Sequence, residues 1–194
     1  TSGAKQRFVG LYGALFRNLE CTEFFLYEPF DCKVSNWFLE QENVIGIETP
    51  IPSEGRLKKF ISGGKYWTKE LAKQSFSFFE AMNLPIVQPK SGASVLTIHD
   101  LRGLTDKNVM RRQFFSFVLK QALKKADHVF AVSTAVKKEI LEFYAHNSIY
   151  VAYNGIDIKK FQKVDKSKNL DLRKKFHLPS NFLLAVGHFE KRKN

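Results

Sequence analysis

The sequence predicts an α/β fold in which helices flank a parallel sheet. Short apolar runs alternate along the chain with longer stretches that place apolar residues at helical spacing. This alternation of strand and helix is typical of βαβ units, whose strands lie parallel. With 194 residues, of which 44% are hydrophobic and 14% aromatic, the chain can form the core of one full domain and part of another.

The first half of the chain predicts two helical stretches and two strands. Residues 6–19 repeat apolar residues on one helical face. Short apolar runs predict strands at 24–27 and 43–48. Residues 56–74 are helical in pattern and rich in lysine, and we expect Gly63 and Gly64 to break this stretch in two.

The second half of the chain has a clearer alternation. Strands are predicted at 94–98, 127–132 and 148–153, with a helix at 108–125 and another after residue 133. The expected inner face of the helix at 108–125 consists of Met110, Phe114, Phe117, Val118 and Ala122.

The ends of the chain predict a domain boundary. Residues 157–181 are polar and lysine-rich, which indicates a linker with a short helix near 169–176 after a first domain at 1–156. Residues 182–194 predict a buried strand, a glycine turn and the start of a basic helix, as in the first strand of a second domain. Residues 2–7 predict a glycine-containing loop, so we expect the first strand of the domain to precede Thr1.

Composition narrows the class of protein without choosing a ligand. A formal net charge of +12 suits nucleic acid, anionic lipid or phosphorylated small molecules. Cys21 and Cys32 lack metal-ligand spacing and predict free thiols in a reducing cytoplasm. No apolar run approaches the roughly 18 residues of a membrane span.

The candidate ligand site lies where the predicted strands end. In an open parallel sheet, ligands bind beyond the carboxyl ends of the strands. Four segments point to this edge: the loop at Gly3, His99 with Asp100, Ser133, and Asn154 with Gly155.

These segments belong to motifs that follow one another in a characteristic order. The motifs are Thr97–Leu101, Ala126–Ser133, Asn154–Asp157 and Leu183–Gly187 with Arg192–Asn194. In order and spacing they resemble the signatures of the retaining GT-B glycosyltransferases of family four, the group one transferases. The segment from Ser2 to Phe8 resembles the glycine-rich acceptor-side loop of that family, whereas residues 20–93 resemble it only loosely.

The resemblance implies two Rossmann-like domains with a cleft between them. The N-terminal domain, here residues 1–156, would bind the acceptor, and a domain beginning at 182 would bind a nucleotide-diphospho-sugar donor. Such enzymes retain anomeric configuration, usually need no catalytic metal, and commonly use glycan or lipid-linked acceptors in surface polysaccharide or glycolipid synthesis. The resemblance thus implies that the chain is a fragment of a transferase and that this fragment is inactive by itself. It also implies that the transferase acts in the cytoplasm, at or near the membrane face.

The resemblance also assigns roles to individual residues. Lys193, with Arg192, matches the basic pair that meets the donor diphosphate, where a fixed cation stabilises departing charge. His99 matches the histidine that contacts the transferred sugar or its phosphate. Asp100 would orient the following loop or an acceptor hydroxyl. The Gly3 loop would let backbone N–H groups approach the leaving phosphates.

Structural roles compete with these assignments at several positions. Ser133 fits the role of a helix cap better than that of a ligand contact, and Asn154 fits a turn better than a ligand contact. Glu80 follows two aromatic residues at a possible strand end, where its side chain would either face the acceptor or have a structural role. His188 stands where family members often carry arginine, which leaves the second phosphate contact open.

The basic stretch at 56–74 has two interpretations. Lysines around Trp67, Phe60 and Leu71 suit contact with an anionic membrane, and they equally suit a solvated helix face.

Three other classes of protein are alternatives to this interpretation. A nucleic-acid-binding module is disfavoured because no recognisable binding motif accompanies the charge. A nicotinamide-binding enzyme is disfavoured because the glycine fingerprint after a first strand is absent. A sugar-nucleotide epimerase or a non-catalytic GT-B relative stays open, since the residues that would discriminate it do not lie in this sequence.

Overall fold

The computed structural model describes residues 3–71, 73–81, 88–158, 161–162, 172–179 and 181–184. The chain divides into two compact units, Thr1–Gly155 and Ile156–Asn194. The helices and strands of the first unit, in order, are α1 (Gly3–Asn18), β1 (Phe24–Pro29), β2 (Val44–Thr49), α2 (Arg56–Glu70), β3 (Ser75–Ala81), β4 (Ser91–Ile98), α3 (Val109–Lys125), β5 (His128–Ala131), α4 (Thr134–Phe143) and β6 (Ile149–Val151). Short 3-10 helices lie at Ser35–Phe38 and Arg102–Thr105.

All strand pairings in the described residues are parallel, which confirms the predicted fold class. β1 pairs with β2, and β3, β4, β5 and β6 form a four-stranded sheet in that order. Ile98 of β4 is in register with Ala131 of β5, which is in register with Val151 of β6. The carboxyl ends of these three strands therefore lie at one level, and the residues that follow them share one edge of the sheet.

The core lies between the four-stranded sheet and helices α3 and α4. Burial of apolar side chains is the main favourable contribution to folding. The fully buried side chains here come from alternating elements, namely Leu96, Leu119, Leu123, Val129 and Ile140. Strand residues of a sheet covered by helices are buried over most of their length, as β4 is from Ser94 to Ile98.

The inner face predicted for α3 is wrong for three of its five residues. Val118 and Ala122 are buried as expected, and Leu119 and Leu123 join them. Met110, Phe114 and Phe117 are 80%, 55% and 63% exposed. The helix is apolar on two sides, and only its contact with the sheet decided which side is buried.

Helix α2 runs unbroken from Arg56 to Glu70, so the predicted break at Gly63 and Gly64 is wrong. Each glycine costs a helix only about 1 kcal/mol relative to alanine. The ring of Trp67 packs against Tyr27 and Phe79, and tertiary contacts of this kind hold the helix together.

The loop predicted at residues 2–7 is also wrong from Gly3 onward, because α1 begins at Gly3. The apolar face of α1 extends into this segment and buries Arg7 with it. Phe16, on the same face, is 1% exposed and packs against Phe24 of β1 and Phe38.

The second unit has little regular structure in its described residues. A short helix covers residues 172–175, within the range predicted from the sequence. The predicted strand at 182–186 is wrong for residues 182–184, which are not in a strand; Leu183 and Leu184 are exposed. A buried strand needs a hydrogen-bonded neighbour, and the described part of this unit holds none. The linker and domain boundaries stay predictions.

Candidate functional site

His99 directly follows β4 at the carboxyl edge of the four-stranded sheet. Its side chain is partly buried, and burial lowers the pKa of the imidazole below its ordinary value. The positive charge of Arg7 lowers this pKa further, while Asp100 and Glu80 act in the opposite direction. The ring is therefore neutral at pH 7 and carries one donor and one acceptor nitrogen.

Arg7 links the beginning of α1 to the end of β6. The residue is 7% exposed, and its Nη1 donates to the backbone oxygen of Ala152 at 3.0 Å and to Oδ1 of Asn154 at 2.6 Å. Within the described part of the chain, its Nε is buried without a hydrogen-bond partner and no carboxylate lies at ion-pair distance. This edge of the sheet thus holds a buried cation that makes no salt bridge with any of the described residues.

Glu80 joins the three elements β3, α1 and β4 near His99. Its carboxylate accepts hydrogen bonds from the hydroxyl of Tyr12 in α1 and from Oγ1 of Thr97 in β4. Burial and the neighbouring Glu80 carboxylate raise the pKa of Tyr12, so the phenol stays protonated and remains a donor. Both hydrogen bonds to this carboxylate have a charged acceptor, the stronger class of such bonds.

Asp100 and Ser133 are occupied by local contacts. The Asp100 carboxylate accepts hydrogen bonds from the backbone N–H and the guanidinium of Arg102, which lower the pKa of the carboxyl. Asp100 therefore holds the turn that follows β4. The hydroxyl of Ser133 accepts the backbone N–H of Val136 at 3.2 Å, which confirms the predicted helix cap.

Two comparisons with known proteins bear on this site. The sequence model described as Glycosyltransferase Family 4 matches residues 37–160, more than half of the chain. The chain belongs to this glycosyltransferase family. It is also 32% identical over 103 residues to the O-antigen chain mannosyltransferase RfbU of Salmonella typhimurium strain LT2. That alignment covers 51% of this chain and 26% of the mannosyltransferase, so the chain spans about a quarter of its relative.

In this family 4 chain, the structure groups some of the predicted site residues and separates others. His99 and Asn154 lie at the same edge, connected through Arg7 by its charge and its hydrogen bond. Gly3 lies in the first turn of α1 rather than in a loop. Arg192 and Lys193 lie outside the described residues. The ligand roles of all these residues stay predictions.

The contributions of Arg7 and Tyr12 to this edge were not predicted from the sequence. One signal was available, because Arg7 lies four residues before Leu11 on the apolar side of the predicted helix, where an arginine is unusual. No comparable signal pointed from Tyr12 to Glu80, since the two residues are 68 positions apart and meet only through the fold.

The described ranges contain neither a candidate metal site nor a helix that could span a membrane. There, no three histidine, cysteine or acidic side chains are grouped in a way that could hold a metal ion. Nor is any of the described helices both long enough and apolar enough to cross a bilayer.

Proposed function

We propose that the protein containing this chain is a glycosyltransferase that moves a sugar from a nucleotide-diphospho-sugar to a glycan or lipid-linked acceptor. The observation that carries this proposal is the neutral His99 beside the buried cation Arg7, at the ligand-binding edge of a family 4 chain. A neutral imidazole can donate a hydrogen bond to a sugar or phosphate oxygen, and a nearby cation favours an anionic substrate.

The proposed reaction breaks the bond between the anomeric carbon and the donor phosphate oxygen and forms one from the same carbon to an acceptor hydroxyl oxygen, which releases its proton; anomeric configuration is retained. Negative charge grows on the departing diphosphate, and Lys193 with Arg192 would stabilise it. His99 would contact the transferred sugar or its phosphate, with Gly3 close to the phosphates. We propose that transfer needs no metal ion.

In this proposal the first domain, residues 1–156, binds the acceptor, with Asp100, Ser133 and Asn154 near it, and residues 182–194 begin the donor domain. Residues 1–194 alone would then not catalyse transfer. The relative acts in O-antigen synthesis according to its name, which supports a role in surface polysaccharide or glycolipid synthesis and makes mannose the first sugar to test. We expect this role in the cytoplasm.

A peripheral membrane contact through residues 56–74 is the second part of the proposal. Lys58, Lys59, Lys65 and Lys69 are exposed on α2, as attraction to anionic lipid requires. Replacement of all four by glutamine should reduce co-sedimentation with anionic vesicles. Unchanged sedimentation would leave this segment as a solvated helix face.

The first experiment identifies the reaction. A longer form of the protein that continues beyond Asn194 is incubated with a panel of nucleotide sugars, mannose nucleotides included, with and without a membrane extract. Release of nucleoside diphosphate from one donor, increased by the extract, is the expected result. A folded protein that releases none would favour the epimerase or the non-catalytic relative.

A substitution in the same longer form tests the proposed phosphate contact. Lys193→Ala should raise the barrier by about 2 to 4 kcal/mol, the scale of a preorganised contact to developing charge, while acceptor binding changes little. Lys191→Ala removes the same charge two residues away and serves as the control. Turnover near normal in Lys193→Ala would exclude Lys193 from the mechanism.

A further inference from the structure

Arg7 is a buried cation that packing alone does not account for. It is 7% exposed, and no carboxylate of the described residues lies at ion-pair distance from it. Arginine is almost never buried without a charged partner, because the loss of hydration is not offset. Methionine would fill a similar space at a lower cost in free energy. The charge and the hydrogen bonds of Arg7 therefore point to a use beyond the core.

The contact with Arg7 fixes the orientation of the Asn154 side chain. A guanidinium carries donors and no acceptor, so the atom that lies 2.6 Å from Nη1 must be the amide oxygen of Asn154. Because the amide group is planar, its NH2 group is turned away from Arg7. Asn154 is exposed, and among the described residues no hydrogen bond uses this NH2 group. Two N–H donors thus remain for a ligand at this edge of the sheet.

The same guanidinium anchors the backbone that leads to Asn154. The N–H of Ala152 donates to the backbone oxygen of Ala131, the last residue of β5, at 2.9 Å. The oxygen of Ala152 accepts from Nη1 of Arg7 at 3.0 Å. Ala152 is therefore held on one side by the sheet and on the other by α1. Loss of Arg7 would release both this backbone and the side chain of Asn154.

The charge of Arg7 also acts on His99 at the same edge. Besides Arg7 on α1, the charged groups that act on the imidazole are Glu80 on β3 and Asp100 beside it in the chain. Both carboxylates raise the pKa of His99, whereas burial and Arg7 lower it. Replacement of Arg7 should therefore change the protonation of His99 together with the alignment of Asn154.

The ligand that best fits the NH2 group of Asn154 is a phosphate. A phosphate oxygen accepts hydrogen bonds and carries negative charge, which suits two N–H donors. The positive charge of Arg7 at the amide oxygen polarises the amide and strengthens these donors. A neutral hydroxyl gains less from this polarisation.

We propose that Arg7 is a positioning residue that turns the side-chain NH2 group of Asn154 toward a phosphate oxygen of the acceptor. The inference rests on the proposed function and deepens it, since it selects acceptors that carry a phosphate. Arg7 itself does not touch the substrate. It acts through Asn154, and its charge on His99 gives a second, independent readout.

The first test uses this chain without a sugar nucleotide, so that it does not depend on transfer. Nuclear magnetic resonance follows the side-chain NH2 signals of Asn154, which are assigned by their loss in Asn154→Asp. In the wild type we expect an order parameter of about 0.8 and a shift of these signals when inorganic phosphate is added. In Arg7→Met the order parameter should fall below about 0.6, and phosphate should no longer shift the signals.

Arg17→Met is the matched control, because it removes the same charge from an exposed position of the same helix. It should leave the Asn154 signals as they are in the wild type. Arg7→Lys keeps the charge without the planar guanidinium, so it should retain the wild-type titration of His99 and lose part of the restraint on Asn154. Arg7→Lys also takes the place of Arg7→Met if that variant does not fold.

The second test measures release of nucleoside diphosphate by a longer form that continues beyond Asn194, with a membrane extract as the source of acceptor. Arg7→Met should raise the amount of extract that gives half-maximal release at least about tenfold and leave the KM of the nucleotide sugar unchanged. The acid limb of its pH profile should move to higher pH, because His99 protonates more readily without the cation.

Asn154→Asp separates alignment from a merely structural contact. The variant keeps an oxygen that Arg7 can bind and lacks the N–H donors. It should therefore need as much extract as Arg7→Met does, although its melting temperature should not fall below that of the wild type.

The proposal fails on any of three results. One is an Arg7→Met variant whose Asn154 amide is as restrained as in the wild type. Another is an Asn154→Asp variant that needs no more extract than the wild type, which would leave the contact with a structural role alone. The third is a rise in the KM of the nucleotide sugar alone, which would assign the phosphate contact to the donor. A wild-type longer form that releases no nucleoside diphosphate contradicts the transfer reaction instead, and the first test still decides whether Arg7 aligns Asn154.

Discussion

The hydrogen bond from Tyr12 to Glu80 offers a quantitative test of the candidate site. Tyr12→Phe removes the hydroxyl and keeps the ring, whose contacts with Phe8 and Phe16 should persist. A hydrogen bond to a charged acceptor contributes about 2 kcal/mol, so the free energy of unfolding at pH 7 should fall by about that amount. Thr97 remains as a donor to the Glu80 carboxylate in the variant.

The pH dependence of this loss follows from the pKa of Tyr12. Burial and Glu80 raise that pKa in the folded protein, whereas the unfolded chain ionises near the ordinary value of about 10. The contribution of the protonated phenol is thus complete below pH 10 and declines as pH rises, by about 1 kcal/mol between pH 10 and pH 11. Tyr12→Phe has no such loss, so the difference from wild type should narrow from about 2 kcal/mol at pH 7 to about 0.6 kcal/mol at pH 11.

Urea unfolding followed by far-ultraviolet circular dichroism at pH 7, 10 and 11 measures both effects. Tyr153→Phe, at a ring that is 64% exposed, is the matched control for loss of a hydroxyl at pH 7. A Tyr12→Phe variant within about 0.5 kcal/mol of wild type at pH 7 would refute the hydrogen bond as a stabilising contact. A difference that stays constant from pH 7 to pH 11 would refute the raised pKa.

Two further predictions use the same chain. Arg7→Met should raise the pKa of His99, measured by titrating the imidazole proton resonances, because the variant removes the cation that helps to lower it. Because the pKa of His99 is lower in the folded protein than in the unfolded chain, the free energy of unfolding falls as pH drops below about 6.5, and this fall should be smaller in the variant. An unchanged titration of His99 would show that Arg7 does not lower its pKa. Gly92→Ala should cost roughly 3 kcal/mol or more in urea unfolding, because Gly92 has a φ of +102° and an added Cβ would lie 1.8 Å from a backbone oxygen of β3. Gly64→Ala, where nothing lies within 4 Å of the added Cβ, should instead stabilise α2 by roughly 0.5 to 1 kcal/mol, and equal effects at the two glycines would contradict the structure.

Part of the candidate site could be predicted from the sequence. His99, Ser133 and Asn154 follow predicted strands, and the carboxyl ends of parallel strands meet at one edge. The side chains that contact these residues could not be predicted, because the hydrogen bond from Arg7 to Asn154 spans 147 positions of the chain. The periodicity of apolar residues predicts which side chains are neighbours within one helix or strand, and it does not predict contacts between elements.

Electrostatic state was likewise decided by the fold. Sequence identifies His99 as a residue that titrates near neutral pH, and only its burial and the approach of Arg7 lower the pKa. Asp100 shows the same dependence, since its carboxyl is bound to Arg102 through the conformation of the turn after β4.

The sequence alone determined the α/β class, most strand positions and both ends of α3 to within a residue or two, because these features depend on local patterns of apolar side chains and caps. Tertiary structure decided which side of α3 is buried, that α2 continues through Gly63 and Gly64, and which charges surround His99. A helix that is apolar on two sides has two ways to pack against a sheet. The choice depends on the total contact that each arrangement makes with residues far away in the chain, and this left Met110 and Phe117 at the surface.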